Sequence, residues 1–564
     1  MGGTAEALRG AARSSGRWGL VLAAASLLEA ATLLTLPATV ARAVDAALAG
    51  SPIAPAAVPA LGVLLLATVS EAARRLAAAV VQERGALHLR RRLVRHVLAL
   101  DLRGQRAFDT GDLLSRLTGA AHEAAAAPVA AARAATSVVI SLGGLAALFA
   151  LDVRLGLLFL CAAPAAAWTT RSSLGQMSLF TGRYMSVLGE LSARLVEAVR
   201  GAPAIRAAGT LDREIARVRQ PLADLRAAGD RFWDVQRRMA VRLGLAAPLT
   251  QVLVLGTAGV AVASGGLGPG ALPAASAYTG LALGLLRLAG PLGGLARAHG
   301  CAARVQEVLD APVPATGARA LPNGGGRLTL RGIGVRRGEH WVLRDVNLDV
   351  PAGCSVALVG RSGAGKSALA EVAGGLLSPD TGDVELDGVP LRELDAAQAR
   401  VAIAYAFERP NLLGDTVADA VAYADRPVER RSVRAALAAC GADAFVARLP
   451  HREHTAVAGL TLSGGELQRL GLARAVCRDA RVVILDDATS SLDGATEARV
   501  GDALDRVLRG RTRLVAGHRE RTAARADLVA WLDGGRLRAL GPHTALRADP
   551  AYRALFAEEP GRAG

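Results

Sequence analysis

SVALVGRSGAGKSALAEVAGGLL, residues 355–377, contains the only lysine of a 564-residue chain in which every other one of the 66 Lys and Arg residues is arginine. SVALVG (355–360) is a short apolar, β-branched run that predicts a buried strand, and KSALAEVAGGLL (366–377) predicts a helix. Between them lies G-x-x-x-x-G-K-S, a glycine-rich loop placed between a strand and a helix N-terminus. The stretch therefore predicts a phosphate-binding loop in an α/β domain.

The residues of this loop predict how a nucleoside triphosphate and Mg²⁺ are bound. Its glycines let the backbone curl so that successive N–H groups face phosphate oxygens, and the helix N-terminus adds partial positive charge. Lys366 is expected to reach the β- and γ-phosphates, and the Ser367 hydroxyl to bind Mg²⁺. Arginine would fit poorly here, because its planar guanidinium is broader than the compact ammonium of lysine. The predicted nucleotide-binding residues of the loop are Gly360, Arg361, Ser362, Gly363, Ala364, Gly365, Lys366 and Ser367.

The composition favours a membrane protein over a nucleic-acid-binding protein. The chain is 52% apolar with a mean hydropathy of +0.31, and its net charge is +16. Aromatic residues make up only 3% of the chain, so platforms on which bases could stack are not evident. Arginine in cytoplasmic loops beside anionic lipid explains the charge better, and we expect no nucleic-acid partner. The five cysteines include no C-x-x-C pair, which favours thiols over a disulfide framework or a zinc site.

Long apolar stretches before residue 300 predict six membrane helices. The stretch from 243 to 286 has 44 residues without a charged side chain, enough for two crossings. Residues 84–106 hold seven arginines and 194–242 hold eleven. The positive-inside rule therefore puts both long loops, the N-terminus and the C-terminal half in the cytoplasm of a multi-pass protein of the cytoplasmic membrane. The predicted spans are about 17–44, 53–82, 128–151, 153–172, 240–264 and 271–292.

Glu29 lies well inside the first predicted span. A carboxylate at that depth is costly, which makes it a candidate functional residue. A side chain that faces a watery cavity, with no specific role, explains it equally well. Both interpretations stay open on the sequence alone.

RVVILDD (481–487) predicts a second buried strand that ends in two carboxylates. Asp486 is placed to bind Mg²⁺ through its water shell, and Asp487 to orient or deprotonate the attacking water. A strand that ends in two aspartates is by itself an ordinary start of a turn. The phosphate-binding loop makes the metal site the better interpretation.

Four motifs together resemble the ATP-binding cassette (ABC) transporters. LSGGELQRLGLARA (462–475) is similar to the signature motif of that family, and GRSGAGKS (360–367), RVVILDDATSSLD (481–493) and VAGHR (515–519) stand in the family's order. The six spans, the two long cytoplasmic loops and GDLLSRLT (111–118) resemble the exporter type. The implied fold class is an all-α six-helix transmembrane domain followed by an α/β P-loop ABC ATPase domain. The implied boundaries are a transmembrane domain at 1–308, a linker at 309–326 and an ATP-binding domain at 327–564.

The resemblance implies an ATP hydrolase coupled to transport that works as a dimer with ATP and Mg²⁺. Ser463, Gly464, Gly465 and Glu466 would contact the ATP of the opposing subunit, and His518 would contact the γ-phosphate. Coupling helices, which dock on the ATPase domains, would lie at about 111–122 and 201–213.

Four positions depart from the family's pattern. Asp487 replaces the family's catalytic glutamate, and Glu408 in AYAFERPNLL (404–413) replaces a glutamine that binds Mg²⁺. The signature ends in Glu466 instead of glutamine, and Val335 stands where an aromatic residue would stack on adenine, a role that His340 or Trp341 could take. The predicted catalytic residues are thus Asp487, His518 and Glu408, and the predicted metal ligands are Ser367, Asp486 and Glu408.

Two assemblies are consistent with these departures. In one, the chain forms a heterodimer with a second half-transporter and its own phosphate loop forms a slow site. In the other, a homodimer hydrolyses ATP slowly through Asp487. We favour the heterodimer, with export of a small molecule or modified peptide. Siderophore-type import and a non-hydrolysing regulatory half are the alternatives.

Overall fold

The computed structural model describes residues 9, 10, 13, 15–284, 288–424 and 427–557, without the side chains of 162–182 and of a few positions between 235 and 246 and at 289. The chain divides into two compact units. The first comprises Met1–Arg95 and Thr110–Asp310, and the second comprises His96–Asp109 and Ala311–Gly564.

Helices alone form the described part of the first unit. They begin with α1 (Arg17–Leu48) and α2 (Ala54–Ala99), of which α2 runs on into the second unit. The short segments α4 (Thr110–Ser115) and α5 (Ala121–Ala125) flank a π-helical turn at Arg116–Ala120. The remaining helices are α6 (Ala127–Leu151), α7 (Val153–Arg200), α8 (Ala202–Ala208), α9 (Leu211–Arg219), α10 (Leu222–Ala263), α11 (Ala271–Ala282) and α12 (Ala289–Leu309). The short helix α3 (Leu102–Arg106) belongs to the second unit.

Several of these helices extend beyond the predicted membrane spans. Helix α2 continues 17 residues past the predicted end at 82, and α7 continues 28 residues past 172. Within the described residues, three helical stretches are long and apolar enough to cross a membrane, namely Arg17–Leu48, Ala54–Ala99 and Thr110–Leu151. The last predicted span, 271–292, is covered by α11 and the start of α12, and residues 285–287 lie outside the described part.

Glu29 of α1 has a partner that the sequence did not reveal. Its carboxylate forms an ion pair with the guanidinium of Arg74 in α2, and the two side chains are 14% and 15% exposed. Pairing of opposite charges is how ionisable side chains are tolerated inside an apolar helix bundle. Glu29 is therefore neutralised by a neighbouring helix in this structure.

The second unit contains two sheets. The first is antiparallel, in the order β2-β1-β4-β5. The second has the order β10-β9-β3-β8-β7-β6 and is parallel except for the β9–β10 pair. The strands are β1 (Leu328–Arg337), β2 (His340–Val350), β3 (Ser355–Val359), β4 (Thr381–Leu386), β5 (Val389–Pro390), β6 (Ile403–Ala406), β7 (Val482–Asp486), β8 (Thr512–Ala516), β9 (Leu528–Asp533) and β10 (Arg536–Gly541).

Helices connect these strands and cover the sheets. They are α13 (Lys366–Ala373), α14 (Ala396–Ala402), α15 (Val417–Val421), α16 (Arg430–Ala439), α17 (Asp443–Val446), α18 (Gly464–Cys477), α19 (Gly494–Val507), α20 (Glu520–Arg525), α21 (His543–Leu546) and α22 (Pro550–Ala557). Every residue of β3 and of β7 is buried, as the apolar runs predict. Parallel strands buried on both faces place their carboxyl ends at one edge of the sheet, where α/β proteins bind ligands.

The segment His96–Asp109 packs within the second unit. Leu102 N–H donates to the carbonyl of Leu376 at 3.0 Å, and Arg103 forms two bonds to Asp380, at 2.6 and 2.7 Å. The two predicted coupling helices, at about 111–122 and 201–213, lie in the first unit, and their role stays a prediction.

Candidate functional site

The phosphate-binding loop joins β3 to α13, as the sequence predicts. Gly360 and Gly365 have positive φ angles of 156° and 99°. A Cβ atom at Gly360 would lie 2.4 Å from the carbonyl oxygen of Leu532, and one at Gly365 would lie 2.7 Å from a methyl group of Leu343. Neither position has room for a side chain, so glycine is required for the loop to take this curled path.

Lys366 is folded back into this loop. Its Nζ donates to the carbonyl of Gly360 at 2.8 Å and to that of Arg361 at 3.1 Å, and the residue is only 9% exposed. Burial lowers the pKa of Lys366, while the nearby carboxylates of Asp487 and Asp486 oppose that shift. The ammonium thus lies among backbone oxygens and near two acids, where a phosphate group would be a favourable further partner.

Asp486 is the last residue of β7. Because β3, β8 and β7 are neighbouring parallel strands, Asp486 lies at the same edge of the sheet as the phosphate loop, which follows β3. The residue is 7% exposed, and its Oδ2 accepts a hydrogen bond from Tyr405 Oη at 2.9 Å. Burial raises the pKa of Asp486, and the hydroxyls of Ser367 and Tyr405 oppose that shift.

The environment of Asp486 fits a magnesium ion. Its second oxygen, Oδ1, is buried and has no hydrogen-bond partner among the described residues. A buried carboxylate oxygen left unpaired is costly unless a cation or donor comes to it. Ser367 and Asp486 supply the hard oxygen ligands that Mg²⁺ prefers, and these two residues would hold it together with phosphate oxygens. Bound there, the ion would neutralise charge that develops on the transferred phosphoryl group.

Asp487 follows directly and has a different environment. Its φ is +45°, a left-handed conformation that aspartate tolerates better than most residues. Its Oδ1 lies 3.3 Å from Nδ1 of His518, so the two predicted catalytic residues are neighbours. Both line a cavity of about 30 Å³, large enough for a water molecule.

Glu408 does not join this group in the structure. Its side chain is 53% exposed, and its carboxylate forms an ion pair with the adjacent Arg409 at 3.9 Å. Only its backbone carbonyl is tied to the site, as an acceptor for Gln468 Nε2 at 2.8 Å. Val335, at the position expected for adenine stacking, is 1% exposed, and the ring of Trp341 is covered by the guanidinium of Arg336 at 4.2 Å.

The signature segment begins α18 with a complete capping box. Ser463 Oγ accepts from Glu466 N–H at 3.3 Å, and Glu466 Oε2 accepts from both the N–H and the hydroxyl of Ser463, each at 2.9 Å. These bonds lower the pKa of Glu466. The carboxylate that departs from the family's pattern therefore stabilises the N-terminus of the helix that carries the signature.

Gln468 connects three parts of the site and was missed by the sequence analysis. Its Nε2 donates to Glu408 O and to Ser490 Oγ, both at 2.8 Å, and its Oε1 accepts from Ser491 N–H at 2.8 Å. The residue is 3% exposed. The signal was its place inside the signature stretch, two residues after Glu466, but its partners are visible only in the folded chain.

Two further contacts escaped the sequence analysis. Arg519, the residue after His518, forms an ion pair with Glu497 of α19. Its Nη2 also donates to the carbonyls of Ser490 and Leu492, each at 3.4 Å, and so holds the SSLD loop (490–493). Tyr405, which binds Asp486, is a lone aromatic residue in the apolar strand IAYA (403–406), and a buried tyrosine hydroxyl requires a partner.

Comparisons with known proteins agree with this geometry. Residues 343–490 match the ABC transporter family, and residues 20–286 match the ABC transporter transmembrane region. The ABC transporter ATP-binding protein RamA of Streptomyces coelicolor is 44% identical over 469 residues, which is 83% of this chain and 74% of that protein.

Further relatives differ in what their names say they transport. The ATP-dependent lipid A-core flippase of Bordetella avium is 32% identical over 82% of this chain and 80% of that protein. The mycobactin import ATP-binding/permease protein IrtB of Mycolicibacterium thermoresistibile is 35% identical over 61% of this chain and 60% of its own length.

A solved structure supports the fold over almost the whole chain. A bacterial Atm1-family ABC exporter with ATP bound superposes with a TM-score of 0.81 at 24% identity, covering 97% of this chain and 99% of that one. Both the predicted family and the predicted fold class, a helical transmembrane domain followed by an α/β ABC ATPase domain, are confirmed. The chain belongs to the ABC transporters, as a multi-pass membrane protein of exporter fold whose cytoplasmic ATPase domain hydrolyses ATP to drive transport.

Proposed function

We propose that this chain is one half of a heterodimeric exporter and that the ATP bound at its own phosphate loop is hydrolysed slowly. In this proposal, Lys366 and the loop backbone bind the phosphates of ATP, and Ser367 and Asp486 hold Mg²⁺. The signature residues Ser463 to Glu466 complete the site of the partner subunit. The cargo is a small molecule or modified peptide taken from the cytoplasm.

The observation that carries this proposal is Asp487 at the position of the catalytic base. An aspartate carboxylate is retracted by about 1 Å relative to glutamate, and such a misplacement can lower a rate on the order of 100-fold. Glu408 does not compensate in this structure, since its side chain is more than half exposed and turned to Arg409. The departures thus weaken hydrolysis at one site and leave the phosphate loop intact.

The test is the ATPase activity of the purified full-length chain without a partner. We expect slow turnover that Asp487→Glu raises on the order of 10- to 100-fold, because the longer side chain restores the reach of the base. Asp487→Asn is the matched control, since asparagine keeps the size and tolerates the left-handed backbone but removes the base. Brisk turnover that Asp487→Glu leaves unchanged would sink the heterodimer proposal.

Import is a second candidate, favoured by the relative named for mycobactin import. Export and import can be distinguished in proteoliposomes with ATP supplied only in the external medium. Under this condition only transporters whose ATPase domains face outward are active. Accumulation of labelled peptides inside these vesicles indicates export. Depletion of a preloaded iron-bound siderophore indicates import.

A regulatory half that hydrolyses no ATP is the third candidate. Glu466 replaces a neutral glutamine of the family's pattern and puts a negative charge at the signature, which would contact the ATP of the opposing subunit. Cargo-stimulated ATPase activity of the reconstituted dimer, lost on Asp487→Asn in this chain, would exclude this candidate.

A further inference from the structure

Tyr405 donates a hydrogen bond to Asp486, the predicted magnesium ligand. The two side chains belong to neighbouring parallel strands, β6 and β7, and lie 81 positions apart in the sequence. The tyrosine ring packs on Gly374 at the end of α13, where a Cβ atom would come within 2.8 Å of the ring. The ring is therefore packed between the phosphate-loop helix α13 and strand β7, and its hydroxyl group contacts Asp486.

This contact gives the two carboxylate oxygens of Asp486 different environments. Oδ2 accepts the tyrosine O–H at 2.9 Å, whereas Oδ1 is buried without a partner among the described residues. A tyrosine has one O–H to donate, so the bond locks the rotation of the carboxylate and leaves Oδ1 for a cation. Hydrogen-bond partners of metal-binding carboxylates commonly change metal affinity 10- to 100-fold when removed.

A second carboxylate, Glu371 of α13, lies close to this pair. It is 7% exposed, and Arg106 donates to it with both guanidinium nitrogens, at 2.6 and 3.1 Å. Burial raises the pKa of Tyr405, the negative charges of Asp486 and Glu371 raise it further, and the positive charge of Arg106 opposes that shift. Without Arg106, Glu371 would be an unpaired buried carboxylate on the helix that begins with Lys366, one turn after Ser367.

Arg106 ends helix α3, which lies in the segment His96–Asp109 of the second unit. Four residues of this segment bond to the stretch between 371 and 380: Asp101 accepts from Ser378 N–H, Leu102 donates to Leu376 O, Arg103 pairs with Asp380 and Arg106 pairs with Glu371. The same segment connects α2 to α4. The charge balance at the metal position therefore depends on a segment that is continuous with the long helices of the first unit.

We propose that Tyr405 is a positioning residue that holds Asp486 ready for Mg²⁺, and that the Arg106–Glu371 pair of the docked segment keeps the surroundings of this carboxylate neutral enough for a triphosphate. The proposal rests on the assignment of Lys366, Ser367 and Asp486 as the Mg-ATP site. It adds one group for the cation, Tyr405, and one for the charge balance, the Arg106–Glu371 pair.

The first experiment measures how Mg²⁺ affects binding of a fluorescent ATP analogue to the full-length chain in detergent. Tyr405→Phe removes one hydroxyl and keeps the ring on Gly374. We expect the Mg²⁺ concentration at half-maximal effect to rise about 10-fold or more, with affinity in EDTA unchanged. Tyr423→Phe, which alters a tyrosine that is 53% exposed, is the matched control and leaves both values unchanged. A shift below twofold for Tyr405→Phe would overturn the proposal.

The second experiment tests the charge balance. Arg106→Ala leaves the buried carboxylate of Glu371 unpaired, and we expect nucleotide affinity to fall about threefold or more, since like charges repel. Adding Glu371→Gln removes that charge and should restore the affinity. Arg103→Ala loses a docking bond to Asp380 but keeps the Arg106–Glu371 pair, so it should have the smaller effect. Absence of rescue, or an equal loss in Arg103→Ala, contradicts the role of Arg106.

Two further variants separate a failure of this inference from a failure of the proposed site. Asp486→Asn should abolish the effect of Mg²⁺ on binding, and Lys366→Ala should lower the affinity for Mg-ATP on the order of 100-fold. If either variant binds Mg-ATP normally, the site assignment is wrong. If Asp486→Asn loses the effect of Mg²⁺ and Lys366→Ala loses affinity as expected, while Tyr405→Phe does not shift the Mg²⁺ dependence, only the positioning role is wrong.

Discussion

Two helices of the ATPase unit begin with a glycine-rich stretch, yet their N-termini differ in chemistry. Helix α13 follows Gly365, which makes no side-chain capping bond, and its first turn contains no acidic residue. Helix α18 follows Ser463, which caps the helix, and Glu466 in its first turn returns a carboxylate to the cap. One N-terminus is thus open and carries a cation, whereas the other is closed and carries an anion.

This difference indicates two ways in which the same local structure meets a phosphate. At α13 the free N–H groups and Lys366 attract a triphosphate directly, since both the helix dipole and the side chain are positive. At α18 the carboxylate of Glu466 already occupies donors that a phosphate would use. The negative charge of Glu466 repels the γ-phosphate of the ATP bound to the partner subunit. We therefore expect the signature of this chain to bind that phosphate weakly.

The largest expected effect is at the open N-terminus. Lys366→Ala should lower the affinity for Mg-ATP on the order of 100-fold, because it removes charge-assisted bonds to the phosphates. Lys366→Arg should fail as well, since the planar fork does not fit the concavity that holds the ammonium. The measurement is equilibrium binding of radiolabelled ATP. Arg331→Ala, at a surface cation that pairs with Glu385, is the matched control, and normal binding by Lys366→Ala would contradict the comparison.

A smaller effect is expected from the anion at the closed N-terminus. Glu466→Gln keeps an oxygen that can accept from Ser463 N–H but removes the negative charge. We expect the ATP concentration needed for dimer formation to fall about threefold to tenfold, because a like charge near the γ-phosphate is lost. Cross-linking of the Asp487→Asn dimer at increasing ATP measures this. Glu453→Gln alters a carboxylate outside the signature, which is 17% exposed and paired with Arg434, and should leave the midpoint unchanged. An unchanged midpoint for Glu466→Gln would mean that its charge is not felt by the partner's ATP.

The smallest effect concerns the cap itself. Ser463→Ala should lower the free energy of unfolding by about 1 kcal/mol, the usual value of an N-cap. Thr416→Ala removes the equivalent residue of a second capping box, at the start of α15, and should cost about as much. Thermal unfolding of the two variants compares their stabilities. Only Ser463→Ala should also change ATP-dependent dimer formation. If the two variants form dimers equally well, Ser463 acts only as a helix cap and does not contact ATP.

The fold and the phosphate loop were predictable because their signals are local. A buried strand, the loop with its glycines and Lys366 and the helix that follows are consecutive, so their chemistry is visible in one stretch of 23 residues. The strand that ends in Asp486 and Asp487 is likewise recognisable from consecutive residues. The signature resembles the family over consecutive residues, which is why the family and fold class were predicted and then confirmed.

The surroundings of these motifs were less predictable. Glu408 was expected at the metal because of its place in a motif, but a side chain at a strand end can turn either way, and in this structure it is mostly exposed. Glu29 was left between two interpretations until Arg74 of the neighbouring helix provided the partner.

By itself, the sequence determined which chain segments are strand, loop and apolar helix, and which residues carry the phosphate chemistry, because these properties depend on neighbours in the chain. The tertiary structure decided which distant groups control that chemistry. Tyr405 meets Asp486 across 81 residues only because β6 and β7 pair in parallel, and Arg106 meets Glu371 across 265 residues only because a short segment docks beside α13. Such contacts depend on strand order and packing, which cannot be predicted from any single stretch of the sequence.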